Sequence, residues 1–252
     1  MSQVTFVGAG PGDPELITLK GVKAIEAAEV IIYAGSLVNP EILRYAPVNA
    51  QIHNSASMTL EQVLQVIEAA VSQGHKVARV HTGDPSIYGA IQEQMDALKQ
   101  KNITYTVIPG VSSFLAAAAS LRREYTLPGV SQTIILTRKE GRTPVPERES
   151  LAELAKHGAT MGIFLSVQDI DQVMAELSTG YPADTPVAVV YKASWPEEAI
   201  VRGSLADIAA KVASAGISKT ALILVGGFLG NDYARSLLYH PGFSHEFRES
   251  SQ

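Results

Sequence analysis

Between residues 3 and 121 the chain alternates short β-branched runs with stretches of helical period. That rhythm belongs to strands joined by right-handed crossovers into a parallel sheet. "QVTFVG" (3–8), "EVIIYAG" (29–35), "KVARVHTGD" (76–84) and "TYTVIPG" (104–110) are the expected strands. Between them lie the helices "LKGVKAIEAA", 59–73, "YGAIQEQMDALKQK" and, last, "SSFLAAAASL" (112–121). The second sets Leu60, Val63, Leu64 and Ile67 on one face, the 3.6-residue stripe of a crossover helix. "RREYTLPGVSQ" (122–132) reads as a linker between a first domain, 1–121, and a second, 133–252.

In the second domain "TIILTR" (133–138), "TMGIFLSV" (160–167), "TPVAVVYKAS" (185–194), "EEAIVRGSL" (197–205) and "TALILVGGF" (220–228) read as strands. Only "WP" separates 185–194 from 197–205, too little for a helical crossover, so these two must pair antiparallel. The expected fold is therefore α/β, with two αβα domains, a mostly parallel first sheet and a mixed second one. The tail beyond residue 229 shows no period.

Composition narrows the function classes. A net charge of −5 gives no footprint for nucleic acid. With no cysteine, disulfides and thiolate metal sites are excluded, and the six histidines lack ligand spacing, so no metal site is expected. The opening "MSQVTFVGAG" lacks a signal-peptide pattern, and no apolar run approaches bilayer length, so the expected location is the cytoplasm.

The first strand runs straight into "GAGPGDPELITLKG". Gly8 and Gly10 fit the opening of a dinucleotide fingerprint, but Asp13 stands at the third glycine position and Pro11 stiffens the loop. The second strand also ends in "IIYAG", without the carboxylate that would hold a ribose. No Lys-Ser or Lys-Thr follows for a phosphate loop. Two further strands end in unusual loops, "HTGDPSIYG" (81–89) and "PGVSSF" (109–114). In an open α/β sheet, ligands bind beyond the carboxyl ends of the strands, so the three loops are expected to converge on one crevice. Read singly, Asp84 is a turn residue, Ser112 a helix cap and His81 a strand-end histidine bonded to backbone. Together they suggest a site.

This combination resembles the tetrapyrrole methylase family over nearly the whole chain, in "VGAGPGDPELITLKG", "VIIYAGSLV", "TGDPSIYGA", "PGVSSFLAAAA", "PVAVVYKASWP" and "TALILVGGFLG". "YAGSLVNPEIL" and "LTRKEGRTPVPERE" are most similar to its precorrin-4 C11-methyltransferase branch in corrin biosynthesis. Uroporphyrinogen III methyltransferases carry an Asp after the "VVY" of the second strand, where this chain has Ala34. The resemblance implies S-adenosyl-L-methionine as methyl donor, a homodimer, and an active site in a cleft between the domains. It implies cofactor contacts from Pro11, Thr82, Gly83, Asp84, Ile87, Ser112, Ser113, Leu165, Ala193, Thr220 and Ala221. It also implies a polycarboxylate tetrapyrrole substrate, cobalt-precorrin-4, for which Gly10, Gly12, Arg138, Arg142 and Lys192 are candidate partners. Metal-free precorrin-4, or non-catalytic binding of the methyl donor or a tetrapyrrole, are the competing readings. No residue stands out as a base, and Arg122 and Arg123 stand where relatives often have a small residue.

Overall fold

The computed structural model describes residues 3–240, 242–244 and 246–249. It divides into two compact units, residues 1–117 with 192–198, and residues 118–191 with 199–252.

In the first unit the strands β1 (Val4–Gly8), β2 (Val30–Tyr33), β3 (Gln51–Asn54), β4 (Val77–His81) and β5 (Tyr105–Ile108) form one sheet in the order β3-β2-β4-β1-β5. Every neighbouring pair is parallel. β3 was not expected. It is an edge strand with mostly exposed residues, so it carries no apolar alternation to find. The helices are α1 (Leu19–Glu26), α2 (Leu60–Ser72), α3 (Gln92–Gln100) and α4 (Ser113–Leu121), and the last runs on into the second unit.

Thr59 and Gln62 close a reciprocal capping box at the start of α2, whose Val63, Ile67 and Ala70 are buried. The expected helix from residue 88 starts instead at Gln92. Tyr88 and Ala90 hold φ of 55° and 48°, a left-handed backbone that a helix cannot contain.

Alternation along the strands sends side chains to two cores. Val4, Phe6, Ile32 and Val77 pack with Val63 and Ile67 on one face, and Val7, Ile31, Ala78 and Val80 with Ile25 on the other. On β4 the period of two places Arg79 and His81 on the Val77 side.

The second unit holds β6 (Ile134–Arg138), β7 (Thr160–Phe164), β8 (Pro186–Tyr191), β9 (Ala199–Ser204) and β10 (Ala221–Val225), in the order β6-β7-β10-β8-β9. β6 and β7 are parallel and the remaining pairs antiparallel, including the expected β8–β9 hairpin. α5 (Leu151–Ala155), α6 (Ile170–Leu177) and α7 (Ile208–Ser214) contribute buried residues to its core. Among the described residues, no helix is long and apolar enough to cross a membrane.

Candidate active site

The strand order places the reversal of chain direction between β4 and β1. The connection from β1 reaches β2 across β4, and the one from β4 reaches β5 across β1. Tips of strands that diverge in this way open a crevice. The three loops there do meet. Gly83 N–H donates to Gly10 O at 2.7 Å and Gly10 N–H to Gly83 O at 3.3 Å. A Cβ on Gly110 would lie 2.1 Å from Gly83 O, so only glycine lets the third loop approach the second this closely.

Asp84 ties the same two loops. Its Oδ2 accepts from Gly110 N–H at 2.8 Å, and its Oδ1 from Ser86 N–H at 2.9 Å and from the Ser86 hydroxyl. Burial pushes the carboxyl pKa up, but these hydrogen bonds outweigh it and hold it below the usual value. Ser112, buried, precedes α4 beside Gly83, whereas Ser113, Thr82 and Ile87 are half-buried.

The opening loop is covered rather than open. The indole Nε1–H of Trp195 donates to Pro11 O at 3.0 Å, the Ser194 hydroxyl accepts from Asp13 N–H at 3.0 Å, and Asn39 donates to Gly12 O at 2.9 Å. A Cβ on Gly12 would sit 2.0 Å from the Trp195 ring. The Gly10 N–H is taken by Gly83, and Gly12 is buried beneath an indole. Lys192 is likewise engaged within its own segment, 3.5 Å from Glu197 and over the Trp195 ring at 4.8 Å. Ala193 is buried.

Within the second unit, Arg138, Leu165 and Ala221 share one edge of the sheet. Arg138 ends β6 opposite Phe164, Leu165 follows β7, and Ala221 begins β10 after Thr220. Leu165 and Thr220 both have φ of 54°, and Leu165 is 59 % exposed, an apolar side chain held out by a strained backbone. The Arg138 guanidinium donates to the carbonyls of Lys139, Thr143 and Pro144. These bonds staple its own loop. Arg142 is exposed on that loop. Arg123 donates to Gly230 O at 2.8 Å and Asn231 Oδ1 at 2.9 Å, while Arg122 is exposed with φ of 53°.

A cavity of 310 Å³ in the first unit is lined by Ala34, Ser36, Ser55, Thr59, Arg79, His81, Thr82, Ile87, Tyr88 and Gln94, among others. Arg79 is only 6 % exposed and donates to Gln94 Oε1 at 3.1 Å and Ile32 O at 3.2 Å. Burial pushes its pKa down to about 10. His81, 4 % exposed, has no hydrogen-bond partner at Nε2, and burial with Arg79 nearby pushes it down to about 3. Arg79, Gln94 and Trp195 were not singled out from the sequence. A charged residue inside an apolar strand, at Arg79, was the one available signal.

Comparison with known proteins decides the family. A model of the Tetrapyrrole (Corrin/Porphyrin) Methylases matches residues 3–209. The chain belongs to the tetrapyrrole methylases. Among other methylases of this kind, the cobalt-precorrin-4 C(11)-methyltransferase of Methanocaldococcus jannaschii is 62 % identical, over 98 % of this chain and 96 % of the relative. The X-ray structure of a cobalt precorrin-4 methyltransferase, a cobalamin biosynthetic enzyme, matches with a TM-score of 0.88. It is 46 % identical and covers 90 % of this chain and 96 % of that one. The uroporphyrin-III C-methyl transferase of Thermus thermophilus, solved with S-adenosyl homocysteine, matches with a TM-score of 0.76 at 25 % identity, covering 90 % and 99 %. The two-sheet α/β architecture is thus the tetrapyrrole methylase fold.

Proposed function

We propose that this chain transfers a methyl group from S-adenosyl-L-methionine to C11 of cobalt-precorrin-4 in corrin ring biosynthesis. The observation that carries the reading is the 62 % identity, along almost the entire chain, to a cobalt-precorrin-4 C(11)-methyltransferase. Cobalt in this reading arrives within the substrate. Among the described residues, no three His, Cys, Asp or Glu side chains cluster as ligands.

The residues present suit a sulfonium donor. A cationic group that becomes neutral as its methyl leaves should not be gripped by a strong counter-charge, which would stabilise the ground state more than the transition state. The carboxylates of the loops are already committed, Asp13 to Glu15 N–H and Asp84 to Gly110 and Ser86. Backbone groups and small side chains remain. In this reading Pro11, Thr82, Gly83, Ile87, Ser112, Ser113, Ala193, Leu165, Thr220 and Ala221 are the donor contacts, with Asp84 fixing the loops after β4 and β5.

S-adenosyl-L-methionine, when bound, supplies an electrophilic methyl group. The chain contributes position and exclusion of water rather than a covalent residue. The ring-carbon electron pair forms the new C–C bond, and the sulfur keeps the pair of the bond that breaks, giving S-adenosyl-L-homocysteine. We further propose that the enzyme acts as a cytoplasmic homodimer.

The test is incubation with methyl-labelled S-adenosyl-L-methionine and either cobalt-precorrin-4 or metal-free precorrin-4. Label in the cobalt form at C11 is expected. Label in the metal-free form alone overturns the cobalt assignment, and calorimetric binding without label in either makes the protein a binder. Light scattering after size exclusion reads the dimer.

A further inference from the structure

The 310 Å³ cavity of the first unit holds two polar groups that the methyl-transfer reading leaves unused. Arg79 brings a cation that is 94 % withdrawn from solvent by its 6 % exposure, yet among the described residues no carboxylate lies within 4 Å of it. Glu93, on the lining, is exposed and does not reach it. Beside it His81 leaves Nε2 without a partner. An isolated buried cation and an unsatisfied buried nitrogen each cost free energy, and an apolar side chain at either position would avoid the cost.

Of the neighbouring polar groups, the Ser55 hydroxyl already donates to Tyr33 O and Thr59 caps α2 with Gln62, but the first turn of α3 faces the same space and no side-chain hydrogen bond caps it. The N-terminus of a nine-residue helix presents free N–H groups and a partial positive charge. Gln94 is fully used, accepting from Arg79 and donating to Ala90 O at 3.0 Å, so it fixes the guanidinium in place but cannot neutralise it. At about 30 Å³ per water, the volume exceeds what one water needs and admits a short side arm with its solvent.

We propose that this cavity is a carboxylate pocket, in which Arg79 and His81 receive one acetate- or propionate-type side arm of the tetrapyrrole and so orient the ring. The assignment rests on the reading of the substrate as a polycarboxylate tetrapyrrole. Arg79 supplies the charge, with His81 donating from Nε2, which satisfies the orphaned nitrogen only when the arm is in place. Both are positioning residues.

The experiment is ¹⁵N NMR of histidine-labelled protein, with the His81 signal assigned by loss in His81→Leu. Propionate is expected to shift the His81 Nε2 resonance saturably, and propionamide, its neutral isostere, to leave it unmoved. Uroporphyrin, a porphyrin with carboxylate side arms, is expected to saturate the same shift at a concentration at least a hundredfold lower. Equal responses to propionate and propionamide, or none to propionate, overturn the pocket. Uroporphyrin acting no better than propionate overturns the side-arm assignment in favour of a free small carboxylate.

His81→Leu is expected to melt no lower than the parent protein, because it removes the unsatisfied nitrogen, and to bind uroporphyrin at least tenfold more weakly. Unchanged uroporphyrin affinity in that variant overturns the role of His81, and should the variant fail to fold, His81→Gln supplies the signal assignment and the titrations of the parent protein still decide. S-adenosyl-L-methionine binding, measured separately by calorimetry, tests the methylase reading without touching this one.

Discussion

Trp195 donates its indole hydrogen to the carbonyl of Pro11 at 3.0 Å, across 184 residues of sequence. The bond fixes the glycine loop after β1 from above, and the buried Gly12 supplies the clearance for the ring. Gly12→Ala places a methyl group inside the indole, so Trp195 must leave. A loss of about 1–3 kcal/mol in urea unfolding is expected, the range for overpacking a filled site. Trp195 is the only tryptophan, so its fluorescence maximum should shift to the red in the folded variant, reporting the displaced ring directly.

His81 makes stability depend on pH in a defined window. Its folded pKa of about 3 lies below the ordinary 6.5, so between these values the unfolded chain binds the extra proton. Stability is therefore full above pH 6.5 and declines as pH falls toward 3, by up to about 1.4 kcal/mol per unit from this group. Denaturant midpoints measured across that range should fall less steeply in His81→Leu than in the parent protein. Parallel curves would remove His81 as the source.

Gln94 links a buried cation to a strained loop, accepting from Arg79 and donating to Ala90 O. Gln94→Leu keeps the volume and removes both partners. About 2–4 kcal/mol of destabilisation is expected, since a charged donor and a backbone carbonyl are left unsatisfied together. The segment 86–91 should lose hydrogen-exchange protection before the rest of the first unit.

Arg123 holds Gly230 and Asn231 through two hydrogen bonds. In Arg123→Ala, limited proteolysis is expected to cut sooner after residue 230, with the melting temperature of the whole chain lowered by only a few degrees. A lysine in its place makes one contact at most and should give an intermediate cleavage rate.

Asp84 and Gly110 set the spacing of two loops, so Asp84→Asn and Gly110→Ala should both weaken S-adenosyl-L-methionine binding in calorimetry, the second more severely. The Asp84 carboxyl titrates below its ordinary 3.8 in the folded protein, so its contribution to stability is present above that value and fades below it. The stability gap between parent and Asp84→Asn should accordingly narrow on acidification past pH 3.8.

Strands with buried, β-branched residues were legible because each carries its own signal, and the short connection around "WP" was enough to imply the antiparallel hairpin, although the strands stop at Tyr191 and resume at Ala199, so that residues 192–198, not two residues, join them. β3 was hidden because Gln51–Asn54 buries little, and its pairing with β2 is a tertiary event. The start of α3 was misplaced because nothing in "SIYGA" announces the left-handed Tyr88 and Ala90. At the site, convergence of the three loops followed from strand order, whereas the partners of each group did not. Arg138, a candidate substrate partner, donates to carbonyls five and six residues on, the Gly10 N–H is taken by Gly83 and Gly12 lies under an indole. Contacts between residues distant in sequence leave no local period to read.

The segment 192–198, which connects β8 to β9, belongs to the first compact unit although residues 118–191 precede it in the chain. During synthesis, the sheet of the first unit emerges whole while the cover for its opening loop is still untranslated. A nascent chain that ends before Trp195 therefore exposes Gly12 and leaves the Pro11 carbonyl to water, so the opening-loop side of this unit is finished only late in translation.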